Sequence, residues 1–476
     1  MTIIAKDVDT LPPSKNSCAV ETEEEQLYAK RKKIHPRRIT GIFSNMRLLS
    51  AWLLLGWYYG LPWLQWNDRQ AVLFDLPNRK FYLFDLVLWP QDFIFLAWLL
   101  VLAALSLFFF TAVGGRLWCG YACPQTVWTK VFMWMERITE GERQQRLKLD
   151  KAPWNTEKII RRGGKHVLWL GFGFATGLTF VGYFTPIIDL VEKLLSWNLG
   201  GWEAFWVLFY GFATYGNAGW LREQVCIYMC PYARFQGAMF DRNTLIISYD
   251  SERGEARGSR KRGEDPAEQG LGDCLDCTLC VQVCPTGIDI RDGLQYECIA
   301  CAACIDACDQ VMEKMQYPKG LIRYTTENAL EHKPSRILRP RIVIYGILLT
   351  ILFMGFFYAL YLRTPLGLDV IRDRNALYQL ADNGQIQNVY TIKILNKDEA
   401  PHRYRLSIAG LDAATIVGDN EFSVGGGQVA SIPLRISIPE VSLSAPISTI
   451  WFEIVAVDNP RLATREKVQF IGPVGD

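Results

Sequence analysis

The sequence predicts a mixed, multidomain chain: a helical membrane bundle of five spans, an inserted cysteine-rich α+β block, and an all-β sandwich at the C-terminus. Three observations predict it. Five segments approach the ~20 mostly apolar residues that a membrane helix needs: Leu48–Trp66, Phe93–Val113, His166–Ile188, Trp202–Trp220 and Ile342–Leu362. Eight of the thirteen cysteines fall within 274–308. After the last apolar segment, stretches such as QNVYTIKILNKDE and QVASIPLRISIPE alternate with period two and are split by Gly, Pro, Asn and Asp.

These observations divide the chain into a tail (1–45), a four-span domain (46–240), the cysteine block (241–340), a fifth span (341–363) and the β domain (364–476). The 476 residues are half hydrophobic, yet 21% are charged, the mixture expected of membrane segments joined to soluble parts. Residues 1–28 are polar and acidic, with ETEEEQ at 21–26, and lack the apolar core of a signal peptide. They read as a cytoplasmic tail in which Cys18 is an isolated thiol.

Span four is the weakest, because FYGFATYGNAGW carries glycines and polar groups that neighbouring helices must cover. Basic residues set the direction. KRKKIHPRR (30–38) precedes span one, nine Lys and Arg crowd 137–165 after span two, and RGSRKR (257–262) follows span four. The 66–92 and 189–201 loops are poor in both. The expectation is an N-terminus on the cytoplasmic side and, after five spans, a C-terminus on the far side of the membrane, which for the family resembled below is the periplasmic face of a bacterial inner membrane. Trp and Tyr at the span ends (WYYGLPWLQW, WNLGGW) read as interfacial anchors.

Spans two and four each run into the same hexapeptide pattern, CGYACP (119–124) and CIYMCP (226–231). Two helices and a spaced thiol pair, twice over, form an internal parallel repeat, and repeated halves commonly place a site at their seam.

The block itself reads Cys274-x2-Cys277-x2-Cys280-x3-Cys284-Pro285, then Cys298-x2-Cys301-x2-Cys304-x3-Cys308. This is the spacing of a bacterial two-cluster ferredoxin. One tight C-x2-C-x2-C loop supplies three thiolates to a cubane, and the last cysteine of the other run fills the fourth vertex. One [4Fe–4S] cluster is expected on Cys274, Cys277, Cys280 and Cys308, the other on Cys298, Cys301, Cys304 and Cys284. Small residues at Ala300, Ala302 and Ala303 leave room for the backbone to approach the sulfides. Asp309 stands where a proline usually follows, which predicts a looser corner there. Two four-thiolate zinc sites are the alternative, although zinc ribbons usually separate two C-x2-C pairs by a longer spacer.

Electrons in such a block need a donor and an acceptor. Of the four histidines, only His166 lies in a span, which argues against a membrane haem, and no G-x-G-x-x-G follows a strand. The two thiol pairs remain as candidate acceptors. If helical, cysteines at i and i+4 share a face, and thiolates with nearby thioethers (Met133, Met135, Met229) suit monovalent copper. Cys119, Cys123, Cys226 and Cys230 are thus candidate copper ligands and catalytic residues. The alternatives are a third cluster, a redox dithiol or plain buried thiols. The β domain has no cysteine, and its His402 reads as a surface residue.

Paired spans closed by C-x3-C-P, a two-cluster block, a further span and a β domain together resemble the FixG/RdxA/CcoG family of cytochrome c oxidase accessory proteins. The likeness runs from about residue 35 to 470, and the membrane part also resembles ferredoxins of the NapH and NosR type. The resemblance implies an immunoglobulin-like β-sandwich. It also implies a role in maturing cbb3-type oxidases by reducing Cu(II) to Cu(I), with a quinol-linked relay or a non-catalytic assembly scaffold as alternatives. The partners implied are membrane lipid, a cytoplasmic electron donor or quinol, and copper-delivery and oxidase assembly proteins. A homodimer is a further option, and nucleic acid is not implied.

Overall fold

The computed structural model describes residues 33–473 except 382, 383, 412 and 444. The acidic tail and Cys18 lie outside the described residues.

The N-terminal region is helical: α1 (Ile42–Gly60), α2 (Phe93–Gly114), α3 (Leu117–Tyr121), α4 (Pro124–Glu140), α5 (Arg143–Lys151), α6 (Thr156–Val181), α7 (Ile187–Leu195), α8 (Gly201–Thr214) and α9 (Pro231–Met239). Between α8 and α9 the chain runs through two π-helical segments, Tyr215–Leu221 and Val225–Met229. All five segments expected to span are largely helical. However, among the described residues only Pro90–Gly114 and Pro340–Tyr361 are long and apolar enough to cross a bilayer by themselves. The other three depart for local reasons. α1 carries Arg47 and starts six residues early. The first half of α6 holds Lys158, Arg161, Arg162 and Lys165. The α-helical part of α8 stops at Thr214, where the glycine-rich YGNAGWL widens into π-helix.

Glycine sets how α6 meets α8. A Cβ at Gly177 would collide with Val207 O, and one at Gly173 would lie 2.8 Å from Gly211 O. Gly173 and Gly177 form a small-xxx-small face that lets the two backbones touch. On the outward faces, large apolar side chains stay exposed, among them Trp52, Trp57, Phe93 and Val167. Apolar surface on this scale marks a contact with membrane or protein.

The 66–92 loop folds into a small antiparallel sheet of β1 (Val72–Asp75), β2 (Lys80–Leu83) and β3 (Leu86–Leu88). The cysteine block is closed at its base by β4 (Ile246–Tyr249) paired antiparallel with β5 (Ile322–Thr325). Within it lie the short α10 (Leu279–Val283) and the longer α11 (Ala303–Met315). Then α12 (Pro340–Tyr361) leads to the β domain. There β6 (Leu366–Arg372), β7 (Gln385–Asn396), β8 (His402–Ala409), β9 (Thr415–Val417), β10 (Glu421–Val424), β11 (Val429–Pro439), β12 (Ile447–Ala456) and β13 (Ala463–Ile471) form two antiparallel sheets, ordered β9-β11-β7-β6 and β10-β8-β12-β13. Alternate residues of both sheets, such as Ile392, Leu406, Ile436 and Phe452, are buried between them, as the period-two pattern predicts. His402 is not on the surface: it is 9% exposed and sits between Asp458 (2.6 Å) and Asp398 (3.1 Å).

α2 and α12 pack as an antiparallel pair. At one end Arg363, just past α12, reaches Asp92, just before α2, at 2.7 Å. At the other, Arg339 before α12 donates to Ala112 O of α2 at 2.5 Å. The β domain docks at the first end, where Lys397 and Asp92 pair at 3.3 Å and Lys80 donates to Gly427 O at 2.7 Å. The cysteine block lies at the other end. The two modules therefore flank opposite ends of this apolar pair.

Candidate electron-transfer site

The two cysteine runs fold as the spacing requires. In each loop the residues flanking the middle cysteine adopt a left-handed conformation: Asp276 and Thr278 around Cys277 (φ 51° and 54°), and Ala300 and Ala302 around Cys301 (φ 51° and 58°). Side chains with a Cβ rarely pay this cost, and its repetition marks a functional constraint. The alternation curls each loop so that successive N–H groups can face an anionic centre. Each loop then enters a helix, α10 or α11.

The crossed ligand sets are brought together as expected. One small cavity is lined by Cys274, Cys277, Cys280 and Cys308 with Tyr249 and Arg291. A second is lined by Cys284, Cys298, Cys301 and Cys304 together with Cys280. These donor sets fit two [4Fe–4S] groups. Burial pushes the Cys280 thiol up to about 11 and those of Cys298 and Cys308 to about 12. Buried thiols of that kind ionise only when a metal centre replaces their protons. Arg291, tied to Asp289 and Asp276 at 2.6 and 2.5 Å, adds positive charge beside the first cavity. The corner at Asp309 is not loose. α11 runs unbroken through Cys308, and Asp309 accepts from Gly320 N at 2.9 Å.

The thiol pairs are not on continuous helices. Cys119 lies in the middle of α3 and Cys226 lies in a π-helical turn, while Cys123 and Cys230 are the extended N-caps of α4 and α9 (ψ 127° and 112°). The reason is the proline at the next position. It excludes the preceding residue from the α region but suits the first turn of a new helix. The i, i+4 spacing expected on one helix face is thus replaced by a cysteine on each side of a break.

The two pairs nevertheless gather. Burial is the main cause that pushes Cys119 up to about 11 and Cys226 to about 12. Both also feel thiols of the opposite pair: Cys119 feels Cys230, and Cys226 feels Cys123 and Cys119. Among the described residues, no three His, Cys, Asp or Glu converge tightly enough to hold a single metal ion. Of the thioethers, Met135 is buried against Trp169, Met229 is exposed, and Met133 shares a cavity with Cys226.

Four residues that the spacing did not reveal tie the first pair to the second cavity. A Cβ on Gly120 would lie 2.8 Å from Ala300 O, so the backbone beside Cys119 is pressed against the second cluster loop. Arg116, 8% exposed, donates to Cys298 O (3.1 Å) and to Ala233 O of α9 (3.2 Å). Tyr324 donates to Ala300 O at 2.7 Å and lies 3.4 Å from the Tyr121 hydroxyl of the motif. Gln236 of α9 is fully buried and donates to Cys119 Sγ at 3.5 Å. A fifth, Asp306 between Cys304 and Cys308, accepts from Ser44 N (2.7 Å) and Phe43 N (3.2 Å), capping α1 with a carboxylate from α11. None of these stands out in sequence, because each works through a neighbour remote in the chain.

The chain is 41% identical over 428 residues to "Nitrogen fixation protein FixG" of Rhizobium meliloti, covering 82% of each chain. It is 43% identical over 402 residues to "Protein RdxB" of Cereibacter sphaeroides, covering 82% of this chain and 84% of that one.

The chain belongs to the FixG/RdxA/RdxB family.

Within this FixG-family chain, residues 221–327 match the "4Fe-4S dicluster domain", 96–140 match a "4Fe-4S binding domain", and 356–473 match the "IG-like fold at C-terminal of FixG". "Ferredoxin-type protein NapH" of Haemophilus influenzae is 24% identical over 285 residues, covering 57% of this chain and 86% of that one. A crystal structure of a FixG-related protein from Vibrio parahaemolyticus aligns with 24% of this chain and all of its own, at 29% identity and TM-score 0.22. The chain is thus an iron–sulfur electron-transfer protein of the FixG/RdxB type.

Proposed function

We propose that this chain is a membrane-bound electron-transfer protein that reduces Cu(II) to Cu(I) for the maturation of cbb3-type cytochrome c oxidase. The observation that carries the reading is the contact of Gly120 with the Ile299–Ala300 carbonyls. It places a spaced thiol pair directly against the second ferredoxin-type loop. Two [4Fe–4S] clusters, when bound, supply one-electron carriers. The residues do the rest. Cys119, Cys123, Cys226 and Cys230 offer soft donors, and Arg116 and Tyr324 hold the cluster loop against them. Each copper ion takes one electron, and a cytoplasmic donor or a quinol loses it. The product is the softer ion, which thiolates hold better.

The orientation follows the same reading: five spans in the inner membrane, the cysteine block cytoplasmic and the β domain periplasmic. The placement of those two modules at opposite ends of the α2/α12 pair supports it. Replacing Cys226 and Cys230 with serine is expected to abolish cupric reduction while both ferredoxin-type EPR signals persist. Undiminished reduction would refute the assignment.

A second reading has its own observation. Segment 96–140 matches a 4Fe-4S binding family, yet its cysteines are Cys119 and Cys123 alone. A cubane there would need Cys226 and Cys230 as its other ligands, and such sulfurs stand apart rather than converging on one ion. Iron analysis of anaerobically purified protein separates the two: about eight iron atoms per chain fit two cubanes and about twelve fit three.

A further inference from the structure

A third cavity lies at the seam between the helical region and the cysteine block. It measures about 160 Å³ and reaches from Cys226 to Cys301, with walls from α1, α4, α5 and the cluster loops. Seven Lys and Arg side chains line it, against the single carboxylate of Glu223. Some of that charge is already matched: Arg146 and Arg222 bond Glu136 at 3.0 and 2.9 Å. Three individual donor atoms are not. Lys130 Nζ, Arg47 Nε and Arg146 Nε are all buried, line this one cavity, and have no acceptor among the described residues.

Buried donors almost always have partners, and an unpaired buried charge is costly. Three such donors on three separate elements, converging on one space, describe a missing acceptor. Burial first, then the neighbouring Arg47 and Arg137, pulls Lys130 down to about 8, a cost that an anion would relieve. A carboxylate accepts in one plane. A phosphate presents oxygens in several directions and pairs well with guanidinium groups. The volume also fits, since a cavity of roughly 150 Å³ accommodates a ring the size of benzene.

We propose that this cavity binds a phosphate group, supplied by an anionic phospholipid headgroup or by free phosphate. Its place suits a lipid headgroup in particular. It opens beside the first two turns of α1, whose outer face carries exposed Leu49, Trp52 and Leu53, and basic pockets at the cytoplasmic ends of membrane helices bind lipid headgroups. The site goes beyond copper reduction and does not depend on it.

The test uses the full chain in neutral detergent, followed by its thermal unfolding midpoint. One arm titrates inorganic phosphate. The other reconstitutes the chain into phosphatidylcholine vesicles with or without phosphatidylglycerol. A rise with phosphate that phosphatidylglycerol pre-empts identifies the lipid as the source. A rise with phosphate that is equal in both vesicles identifies the free ion. Lys130→Met is expected to raise the midpoint of the unliganded protein, because it removes an unpaired buried charge, and to abolish the ligand-dependent rise. Arg47→Gln should weaken binding about tenfold. Arg79→Gln, an exposed cation on the 66–92 sheet, should respond as the parent does. The proposal fails if the parent responds to neither probe, if Lys130→Met and Arg47→Gln respond like the parent, or if Arg79→Gln loses the response equally.

Discussion

The two copies of C-x-Y-x-C-P share a pattern but not a setting. The first is built on a short α-helix and packs against the second cluster loop. Its Gly120 touches the loop's carbonyls, its Tyr121 meets Tyr324, and its Cys119 is held by Gln236. The second is wound as a π-helical turn, has Ile227 in place of the glycine, and leaves Tyr228 and Met229 about half or more exposed. A repeated motif therefore does not imply a repeated job. Both copies line the cationic cavity, through Gly120 and Tyr121 of the first and Cys226 of the second, but only the first presses its backbone against the cluster loop.

The sharpest test exchanges what differs. Gly120→Val would drive a branched side chain into the Ile299 and Ala300 carbonyls, whereas Ile227→Val at the matching position only trims a methylene. The first is expected to cost about 1–3 kcal/mol and to slow electron delivery to the thiols. The second should be near neutral. Chemical denaturation with EPR of the clusters reads both, and equal effects would erase the distinction.

The thiols themselves come next. Cys119 and Cys226, pushed up to about 11 and about 12 mainly by burial, are protonated at neutral pH. Each must shed its proton to bind a metal. Affinity therefore falls as pH drops and rises about tenfold per unit for each proton released, up to the thiol range. Competition against a copper(I) chelator at several pH values measures the slope. Cys119→Ser and Cys226→Ser should each flatten it by one proton. A slope that only one variant changes would mean that the copies do not share a ligand set.

A smaller effect is expected at Asp306. Its replacement by alanine removes the cap on α1 and should cost about 1 kcal/mol, loosening the block from the helical region at the first copy's side. The hydroxyls give the smallest difference. Tyr324→Phe loses the bond to Ala300 O, about 1 kcal/mol, and should slow reduction severalfold. Tyr228→Phe, at a half-exposed site, should stay within about 0.5 kcal/mol. A slower Tyr228 variant would break the comparison.

Much of this was legible in the chain. Cysteine spacing determined the two crossed ligand sets, because three sulfurs per tight loop leave one vertex open, and the cavities follow that pairing. Alternation determined the sandwich, because side chains in a strand change face at every residue. Proline determined where the helices at the thiol pairs must break, and that break replaces the i, i+4 face that the cysteine spacing alone predicts. Hydropathy alone did not show where each helix would start and stop: α6 begins at Thr156 and ends at Val181, and α8 gives way to π-helix at Tyr215, which leaves these two short of a full apolar span. Only the tertiary structure decided that Gly120, Arg116, Gln236, Tyr324 and Asp306 join the thiols to the clusters. Apart from the bond of Tyr324 to Ala300, 24 residues away, their partners lie 117 to 263 residues away in the chain, as Gln236 to Cys119 and Asp306 to Phe43 illustrate. Contacts at such separation leave no periodicity, because they are set by how helices pack rather than by how any one of them forms.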